Sequence, residues 1–337
     1  MSETYRAIRL ERFAPSFREA ADIVAVPAGP SEPGPGEIRV RNRYCGVNAI
    51  FDTQIARDAV DYVKIGLPSF TGVEALGVVE AIGAGVSDFA VGDAAVTVRF
   101  TGGYREANTA PASNFARVPA AEPEWLALAS TGVSALVALE QVGELKDGET
   151  VVISAAAGGL GHLLVQLALL RGCHVVGIAG GKRKCDFVAS LGAQRVIDYR
   201  TEDVGAVLAN EYGNRIDVAV DTVSGTIYDA MLANLAPYGR LVVAGAAADL
   251  EGKPELVLAP RIAHAIYYKC ASVRGFMNGL LTAHWPDARA RLQELYAAGK
   301  LRVLIDEQPR TGLEGIYDAV EHLLSGASMG KVMVKLG

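Results

Sequence analysis

The chain has 337 residues, about twice the size of a typical single domain, and half of them are hydrophobic, which predicts two domains with substantial cores. Its formal net charge of -6 and the absence of a long Lys/Arg run argue against a nucleic-acid partner. No apolar run follows a basic flank at the N-terminus, no segment approaches about 18 uninterrupted apolar residues, and the four cysteines form no C-x-x-C pair. We therefore expect a cytoplasmic protein without a membrane partner, a disulfide framework or a cysteine zinc lobe.

The N-terminal part of the chain predicts a mainly antiparallel β domain. Short alternating strands are expected at 37–44, 77–82 and 94–99, and Gly/Pro turns such as Pro33-Gly34-Pro35-Gly36 separate them. Alternation of this kind is typical of sheets that bury one face.

The sequence pattern changes at residue 150, where short β-branched runs begin to alternate with helical stretches. The intervening segments, such as 160–171 and 182–191, are long enough for crossover helices. A parallel, doubly wound, six-stranded sheet is therefore predicted. Its strands are expected at 150–154, 174–179, 194–198, 216–221, 240–245 and 271–276.

The last part of the chain predicts a helix at 286–298, a strand at 301–305, a helix at 313–324 and a strand at 331–335. We expect these elements to complete the first domain, so that the parallel domain is an insertion. The expected catalytic domain comprises 1–125 plus 284–337, and the expected nucleotide-binding domain comprises 126–283.

A glycine-rich turn follows the first parallel strand. Ala156-x-Gly158-x-x-Gly161 matches the dinucleotide fingerprint with Ala in place of the first Gly. The helix that follows presents its N-terminus to an anion, and the missing Cβ atoms let the backbone approach a pyrophosphate. This pattern predicts cofactor contacts from five consecutive residues, Ala157, Gly158, Gly159, Leu160 and Gly161.

The end of the second parallel strand favours NADP(H) over NAD(H). An acidic residue there would bind the ribose and repel a 2′-phosphate, but no Asp or Glu occurs before Asp186. The cations 182–184 oppose the dipole of their helix, and a bound phosphate would remove that conflict. We expect Gly180, Gly181 and Lys184 to bind the cofactor. Tyr199 is placed to reach the adenosine end, and is equally well explained as an ordinary strand-end aromatic.

With these motifs, nearly the whole chain resembles the medium-chain dehydrogenase/reductase superfamily, and most of all its zinc-free quinone reductases and prostaglandin reductase 3-like alkene reductases. The resemblance implies that the antiparallel domain is GroES-like and that the parallel domain is a Rossmann domain. The segments that carry the resemblance are Tyr44-Cys45-Gly46-Val47-Asn48, Gly72-Val73-Glu74-Ala75-Leu76-Gly77-Val78-Val79, the turn 155–161, Val220-Asp221-Thr222-Val223-Ser224-Gly225 and Gly330-Lys331-Val332.

Zinc-dependent members of this superfamily carry a Cys and a His at positions that correspond here to Asn48 and Val73. An amide and an isopropyl group cannot replace a thiolate and an imidazole as zinc ligands, and the five histidines show no metal spacing. We therefore expect no metal. Without zinc, reduction of an activated C=C or of a quinone is better suited than alcohol oxidation.

The resemblance implies hydride transfer from NADPH to the electron-poor carbon of a quinone or an α,β-unsaturated ketone or aldehyde. Asn48 is the expected donor to a carbonyl or ribose oxygen, and Tyr44 or Tyr62 is the expected donor or proton relay. Further cofactor contacts are implied for eight residues, Ser134, Thr222, Val223, Ala246, Phe276, Met277, Asn278 and Lys331.

The substrate pocket departs from the family pattern. The segment Asn48-Ala49-Ile50-Phe51-Asp52 has one residue more than Asn-x-x-Asp, Gln54 stands where many quinone reductases have Tyr, and 245–249 lacks the Tyr of many alkene reductases. Two alternatives stay open, an enoyl-thioester reductase and a non-catalytic NADPH-binding protein whose redox state a partner reads. The predicted strand at 271–276 lies at a sheet edge, which favours a homodimer.

Overall fold

The computed structural model describes residues 4–29, 32–59, 64–99, 102–249 and 255–337. These residues form two compact units. Unit 1 contains the described residues up to Ser130 and those from Ile305 onward, and unit 2 contains Thr131–Asp249 and 255–304. Unit 2 is thus an insertion into the chain of unit 1.

Strands and helices are numbered in chain order. The strands are β1 Thr4–Leu10, β2 Ala21–Pro27, β3 Glu37–Gly46, β4 Ser69–Phe70, β5 Glu74–Ile82, β6 Ala94–Thr97, β7 Ala107–Pro111, β8 Phe115–Val118, β9 Thr150–Ile153, β10 His174–Ala179, β11 Arg195–Asp198, β12 Ile216–Asp221, β13 Leu235–Val243, β14 Ser272–Gly275 and β15 Met333–Lys335. The α-helices are α1 Phe17–Ala20, α2 Ala49–Ala56, α3 Pro123–Ala127, α4 Val133–Val137, α5 Gly161–Leu170, α6 Lys182–Ser190, α7 Val204–Tyr212, α8 Gly225–Ala233, α9 Ala263–Tyr267, α10 Trp285–Ala297 and α11 Glu314–Leu324. Short 3-10 helices lie at Ala112–Asn114, Ala247–Asp249, Asn278–Leu280 and Thr282–His284, and π-helical turns lie at Leu128–Gly132 and Ala138–Val142.

Unit 1 is built on antiparallel strands, as the alternating sequence predicts. Its larger sheet has the order β15-β3-β5-β6-β8, with β7 also paired to β3, and a smaller sheet has the order β2-β1-β4. Strand β3 is the centre of the larger sheet, because β5, β7 and β15 all pair with it. Helix α11 and helix α2 close one hydrophobic core against it, with Ile55, Ile316 and Val320 buried there.

Unit 2 is a parallel six-stranded sheet of order β11-β10-β9-β12-β13-β14, which confirms the predicted Rossmann architecture. Strands β10 and β12 have the predicted bounds, whereas β13 begins at Leu235, five residues before the predicted start at 240. The extra residues pair with the start of β12 across a register shift. Successive strands are added to the sheet in one direction from β9 to β11 and in the opposite direction from β12 to β14. In such sheets, ligands bind at the carboxyl ends of the strands where the order reverses, here β9 and β12.

The predicted strand at 301–305 is wrong. Residues 301–304 form no strand, and Ile305 makes only an isolated bridge to Lys331. Side chains of α5 take the place of a partner strand, because the Gln166 amide exchanges hydrogen bonds with the backbone N–H and C=O of Arg302, at 2.7 and 2.8 Å. These residues and α10 belong to the compact unit 2, which ends at Leu304, and the expected domain boundary at 284 stays a prediction.

One helical run, Pro123–Val142, is long and apolar enough to cross a membrane by length and composition. The run is not an uninterrupted apolar stretch, because it contains Glu124, Ser130, Thr131 and Glu140. Its most apolar window is 67% buried inside the protein, as in a core helix of a soluble protein. This burial makes the run weak evidence for a membrane segment.

Candidate functional site

The glycine-rich turn connects β9 to α5 in unit 2. It is closed by the Gly158 N–H, which donates to the carbonyl oxygen of Ala155 at 2.9 Å. A Cβ atom on Gly161 would lie 2.2 Å from that same oxygen and 2.7 Å from the Cα of Ala156. Only glycine lets the first turn of α5 pack this closely against the strand end, which is the role of the last glycine in the fingerprint.

The backbone of this turn offers donors to an anion. Among the residues that the structure describes, the N–H groups of Ala157, Gly159 and Leu160 donate to no backbone carbonyl. They precede the N-terminus of a ten-residue helix, where the helix dipole also favours negative charge. The turn therefore has the chemistry needed to hold a pyrophosphate.

His162, in the first turn of α5, holds the glycine-rich turn in place through hydrogen bonds of its ring. Its Nδ1 lies 2.8 Å from the carbonyl oxygen of Gly158, and its Nε2 lies 3.1 Å from the backbone nitrogen of Leu304. Because the Leu304 N–H must donate, Nε2 accepts and Nδ1–H donates to Gly158. Burial lowers the pKa of His162 to about 4, so this fully buried imidazole is neutral at pH 7.

A second polar arrangement joins the carboxyl ends of β9 and β12. The Ser154 hydroxyl donates to the Asp221 carboxylate at 2.7 Å and accepts from the backbone N–H of Thr222 at 2.8 Å. The same carboxylate accepts the N–H groups of Val223 and Ser224 at 3.0 and 2.8 Å. These bonds fix Thr222 and Val223 at the edge of the sheet where the winding reverses.

The predicted adenosine-binding residues Gly180 and Tyr199 are brought together. A Cβ atom on Gly180 would lie 2.4 Å from the Tyr199 hydroxyl oxygen, so the half-exposed ring lies directly against this glycine. The neighbouring Gly181 N–H donates to Asp198 at 2.8 Å, and the Arg200 N–H donates to the same carboxylate oxygen at 3.0 Å. These two N–H groups lower the pKa of Asp198 below its ordinary value.

Neither Asp198 nor Arg200 was predicted from the sequence to be a site residue. Asp198 brings a carboxylate to the turn that was expected to be free of acids, although two backbone N–H groups already bind it. The guanidinium of Arg200 lies close to Gly181, with its Nη1 3.2 Å from the position of a Cβ atom there. Within α6, Lys182 forms an ion pair with Asp186 at 2.6 Å, and the Lys184 N–H donates to the Gly181 carbonyl oxygen at 3.1 Å.

Two residues expected to line the nicotinamide site are joined by a direct hydrogen bond. The Asn278 side-chain nitrogen donates to the Ser134 hydroxyl oxygen at 2.8 Å, and the Trp285 indole N–H donates to the Asn278 side-chain oxygen at 2.8 Å. Phe276 and Met277 connect Asn278 to the end of β14, and the Phe276 N–H donates to the backbone of β13. Ala246 precedes a 3-10 helix whose first N–H donates to Thr222.

A cluster of buried polar side chains in unit 1 surrounds the predicted donor Asn48. Three strand ends meet there, because Gly46 at the end of β3 pairs with Glu74 at the start of β5 and with Met333 at the start of β15. Asn48 follows β3, and Lys331 precedes β15. Residues from three distant parts of the sequence are thus placed around one point.

Lys331 connects the members of this cluster. Its Nζ lies 2.8 Å from a Glu74 carboxylate oxygen and 3.3 Å from both the Val47 carbonyl oxygen and the Asn48 Oδ1. The side chains of Lys331 and Glu74 are each only 5% exposed. The expected contact between Lys331 and the cofactor stays a prediction, and the ammonium group is directed at three oxygen atoms of unit 1.

Beside this pair, the Tyr104 hydroxyl donates to Asp52 at 2.5 Å. Both side chains are buried, and burial raises the pKa of Asp52 to about 7. No functional role was predicted from the sequence for either Tyr104 or Glu74. Tyr44 is half-buried on β3, next to Cys45, whose thiol faces Gly103, so Tyr44 points to the other face of the strand.

Two expectations about this unit stay predictions. Tyr62 lies outside the described residues, so its proposed role has no structural test. Within the described ranges, no group of three His, Cys, Asp or Glu residues could hold a metal ion. The expectation of a metal-free site continues to depend on Asn48 and Val73 at the positions where zinc-dependent relatives carry ligands.

Comparison with known proteins identifies the family. Prostaglandin reductase-3 of Mus musculus is 35% identical over 346 residues, which cover 99% of this chain and 90% of that protein. The chain belongs to the medium-chain dehydrogenase/reductase superfamily, in its quinone oxidoreductase and prostaglandin reductase 3 branch. A probable quinone oxidoreductase of Leishmania amazonensis is 31% identical over 338 residues and covers 98% of both chains.

Family profiles and solved structures of this superfamily agree with the two-unit fold. The alcohol dehydrogenase GroES-like domain matches residues 34–120, and the zinc-binding dehydrogenase family matches residues 159–294. The Escherichia coli quinone oxidoreductase complexed with NADPH superposes with a TM-score of 0.82 at 28% identity, covering 98% of this chain and all of that one. The GroES-like and Rossmann assignments are thereby confirmed.

Proposed function

We propose that this protein is an NADPH-dependent, zinc-independent reductase that transfers hydride to a quinone or to a C=C bond activated by a carbonyl group. The observation that carries the proposal is the pairing of two turns in unit 2. The turn 155–161 offers backbone N–H groups to a pyrophosphate, and the turn after β10 carries cations where NAD-specific enzymes carry an acid. The related reductases described above support the same reaction class.

The residues present in unit 2 fit the cofactor. Ala157, Gly158, Gly159, Leu160 and Gly161 would hold the pyrophosphate, and Gly180, Gly181, Lys184 and Tyr199 would hold the adenosine and its 2′-phosphate. Ser134, Phe276, Met277 and Asn278 would hold the nicotinamide end, with Thr222, Val223 and Ala246 at the strand ends between them. When bound, NADPH supplies a hydride.

The protein's part in the reaction is to stabilise the acceptor oxygen. As the acceptor carbon gains hydride, negative charge collects on the conjugated oxygen, and a fixed N–H donor lowers the free energy of that charge. Asn48 is the donor we propose, because its side-chain nitrogen is buried and has no hydrogen-bond partner among the described residues. The proton that completes the reduction comes from solvent or from a tyrosine such as Tyr44 or Tyr62.

We further propose that the protein works in the cytoplasm as a homodimer, with a small conjugated carbonyl compound or quinone as its substrate and without a membrane partner. Strand β14 supports the dimer, because it ends the parallel sheet and pairs only with β13 among the described strands. Sedimentation velocity at several protein concentrations tests this arrangement, and a concentration-independent monomer would contradict it.

The reductase proposal is tested by steady-state oxidation of NADPH with a panel of quinones, enones, alkenals and enoyl thioesters. We expect turnover with simple quinones or enones and a strong preference for NADPH over NADH. Turnover with enoyl thioesters alone would instead identify the protein as an enoyl-thioester reductase. Measurable NADPH binding without turnover across the whole panel would refute the proposal.

A further inference from the structure

We propose that the buried Lys331–Glu74 ion pair is a positioning device for the Asn48 carboxamide, and that it makes Asn48 a donor to the oxygen of a carbonyl or quinone acceptor. The part of this inference that concerns the acceptor rests on the function proposed above. The part that concerns the orientation of Asn48 rests on unit 1 alone.

The orientation follows from the chemistry of the lysine. An ammonium group has three N–H donors and no acceptor, so the group that faces it must be an oxygen. The Asn48 Oδ1 lies 3.3 Å from the Lys331 Nζ and accepts from it. Because a carboxamide is planar, the NH₂ group then points away from Lys331, and a flipped amide would bring two sets of N–H donors together.

Glu74 holds the lysine in place. The closest Lys331–Glu74 contact is 2.8 Å, but that carboxylate oxygen has no aligned hydrogen bond, so the attraction between the two groups is mainly Coulombic. At 5% exposure, neither charge would be tolerated alone. The Val47 carbonyl takes a further hydrogen bond from the ammonium, and Val47 is itself tied to Val332 by a backbone bond of 3.1 Å.

The Asn48 nitrogen is left with unmet hydrogen-bonding capacity. It is buried and has no partner among the described residues, although the oxygen of the same amide is bound. A buried donor without a partner is unfavourable, and a ligand oxygen would satisfy it. A carbonyl oxygen that gains negative charge during reduction fits this donor, whereas a ligand group that can only donate, such as an ammonium, does not.

A kinetic double-mutant cycle tests whether Lys331 acts through Asn48. The lysine is removed together with its counter-ion, as Lys331→Met/Glu74→Gln, so that no unpaired charge stays buried. We expect Asn48→Ala to lower kcat about 100-fold and the lysine-free variant to lower it about tenfold. The triple variant should be within about twofold of Asn48→Ala, because the two changes remove one interaction. A triple variant that loses the product of the two effects would refute the positioning role.

Two further variants separate positioning from folding. Asn48→Asp keeps an oxygen toward Lys331 but removes the amide donor, so its kcat should fall as far as that of Asn48→Ala. Lys331→Arg keeps a cation that can only donate, and it should recover kcat to within about threefold of the wild type. An Asn48→Asp enzyme of wild-type activity would show that no donor is needed there.

The orientation itself is measured without turnover. In ¹⁵N-labelled protein, the Asn48 side-chain NH₂ signals are identified by their loss in Asn48→Asp. We expect slow exchange of these protons with water in the wild type and fast exchange in Lys331→Met/Glu74→Gln. Equal exchange rates would overturn the inference, even if the enzyme proves active. Conversely, an inactive wild type with the expected exchange would refute the proposed function and leave the orientation of Asn48 intact.

Discussion

The polar groups of the two units differ in how they are satisfied. In unit 2, the side chains of His162, Ser154 and Asp221 each make at least two hydrogen bonds. The donors of the turn 155–161 that have no backbone partner among the described residues are backbone N–H groups. In unit 1, the side-chain atoms Asn48 Nδ2 and Asp52 Oδ1 are buried without a hydrogen-bond partner in the described ranges. The side chains around the turn of unit 2 are thus satisfied, whereas the cluster around Asn48 in unit 1 retains unmet hydrogen-bonding capacity. Away from the turn, Arg289 Nε of unit 2 is also buried without a partner among the described residues.

This difference follows from what each region has to bind. A pyrophosphate has the same shape in every cofactor molecule, so fixed backbone groups suffice to hold it. An acceptor that changes charge during the reaction needs a donor whose interaction strengthens as the reaction proceeds. Buried and partly unsatisfied side chains are one way to provide such a donor.

The largest expected effect comes from adding one methyl group to the scaffold. In Gly161→Ala, the new Cβ atom would lie 2.2 Å from the Ala155 carbonyl oxygen, which is backbone and cannot rotate away. We expect about 3 kcal/mol of lost unfolding free energy and an NADPH affinity reduced at least about 100-fold. Urea unfolding and NADPH fluorescence titration measure the two effects.

Gly66→Ala is the matched control for that change. Among the described residues, a Cβ atom on Gly66 would meet no heavy atom within 4 Å apart from its chain neighbours. This variant should keep wild-type stability and affinity to within experimental error. If Gly161→Ala behaves in the same way, the close packing of α5 on the turn is not needed for the site.

The pH dependence of unit 2 tests whether its scaffold depends on a neutral imidazole. The pKa of His162 is about 4 in the folded protein and about 6.5 in an unfolded chain, so between these values the unfolded state binds more protons. Stability should therefore fall as the pH falls from about 6.5 to about 4, by about 2–3 kcal/mol from this residue.

His162→Gln supplies the comparison for this prediction, because a Gln amide can donate and accept but does not titrate. Urea unfolding at about pH 7 and about pH 4.5 should show a smaller loss of stability in the variant than in the wild type. The same loss in both proteins would mean that His162 is charged in the folded state or does not hold the turn.

A smaller effect is expected from the cations that select the cofactor. Lys184→Gln should weaken NADPH binding about tenfold and leave NADH binding unchanged, because only NADPH carries the 2′-phosphate. Lys182→Gln is the control, because it removes a cation of the same turn that was not predicted to bind the cofactor and that pairs with Asp186 at 2.6 Å. Titrations at low and high salt measure all four affinities. If Lys184→Gln lowers the affinities for NADPH and NADH equally, the basic turn does not recognise the 2′-phosphate.

The sequence predicted unit 2 well because its signals are local. The β-branched runs, the turn 155–161 and the Gly180–Tyr199 region lie within short stretches, and the structure brings Gly180 against Tyr199. Where a partner came from elsewhere, the prediction failed. Residues 301–304 look like a strand, but Gln166 and His162 of a distant helix satisfy their backbone.

The polar cluster of unit 1 could not be predicted from the sequence for the same physical reason. Asn48 was predicted from its place in the family motif, but Glu74, Tyr104 and the ammonium contacts of Lys331 depend on strand pairings that join residues far apart in sequence. The segment 72–74 offered the one available signal, a glutamate in an otherwise apolar strand start. A buried charge there requires a partner, and the sequence does not say which one.

The central claim, hydride transfer from NADPH to a conjugated acceptor, is tested most directly with NADPH that carries deuterium at carbon 4 of the nicotinamide. Both stereoisomers of the labelled cofactor are incubated with the enzyme and an enone that the panel identifies as a substrate. Mass spectrometry and NMR of the product should show one deuterium at the β-carbon from one of the two isomers and none from the other. A reduced product without deuterium from either isomer would contradict direct hydride transfer and with it the function proposed for this protein.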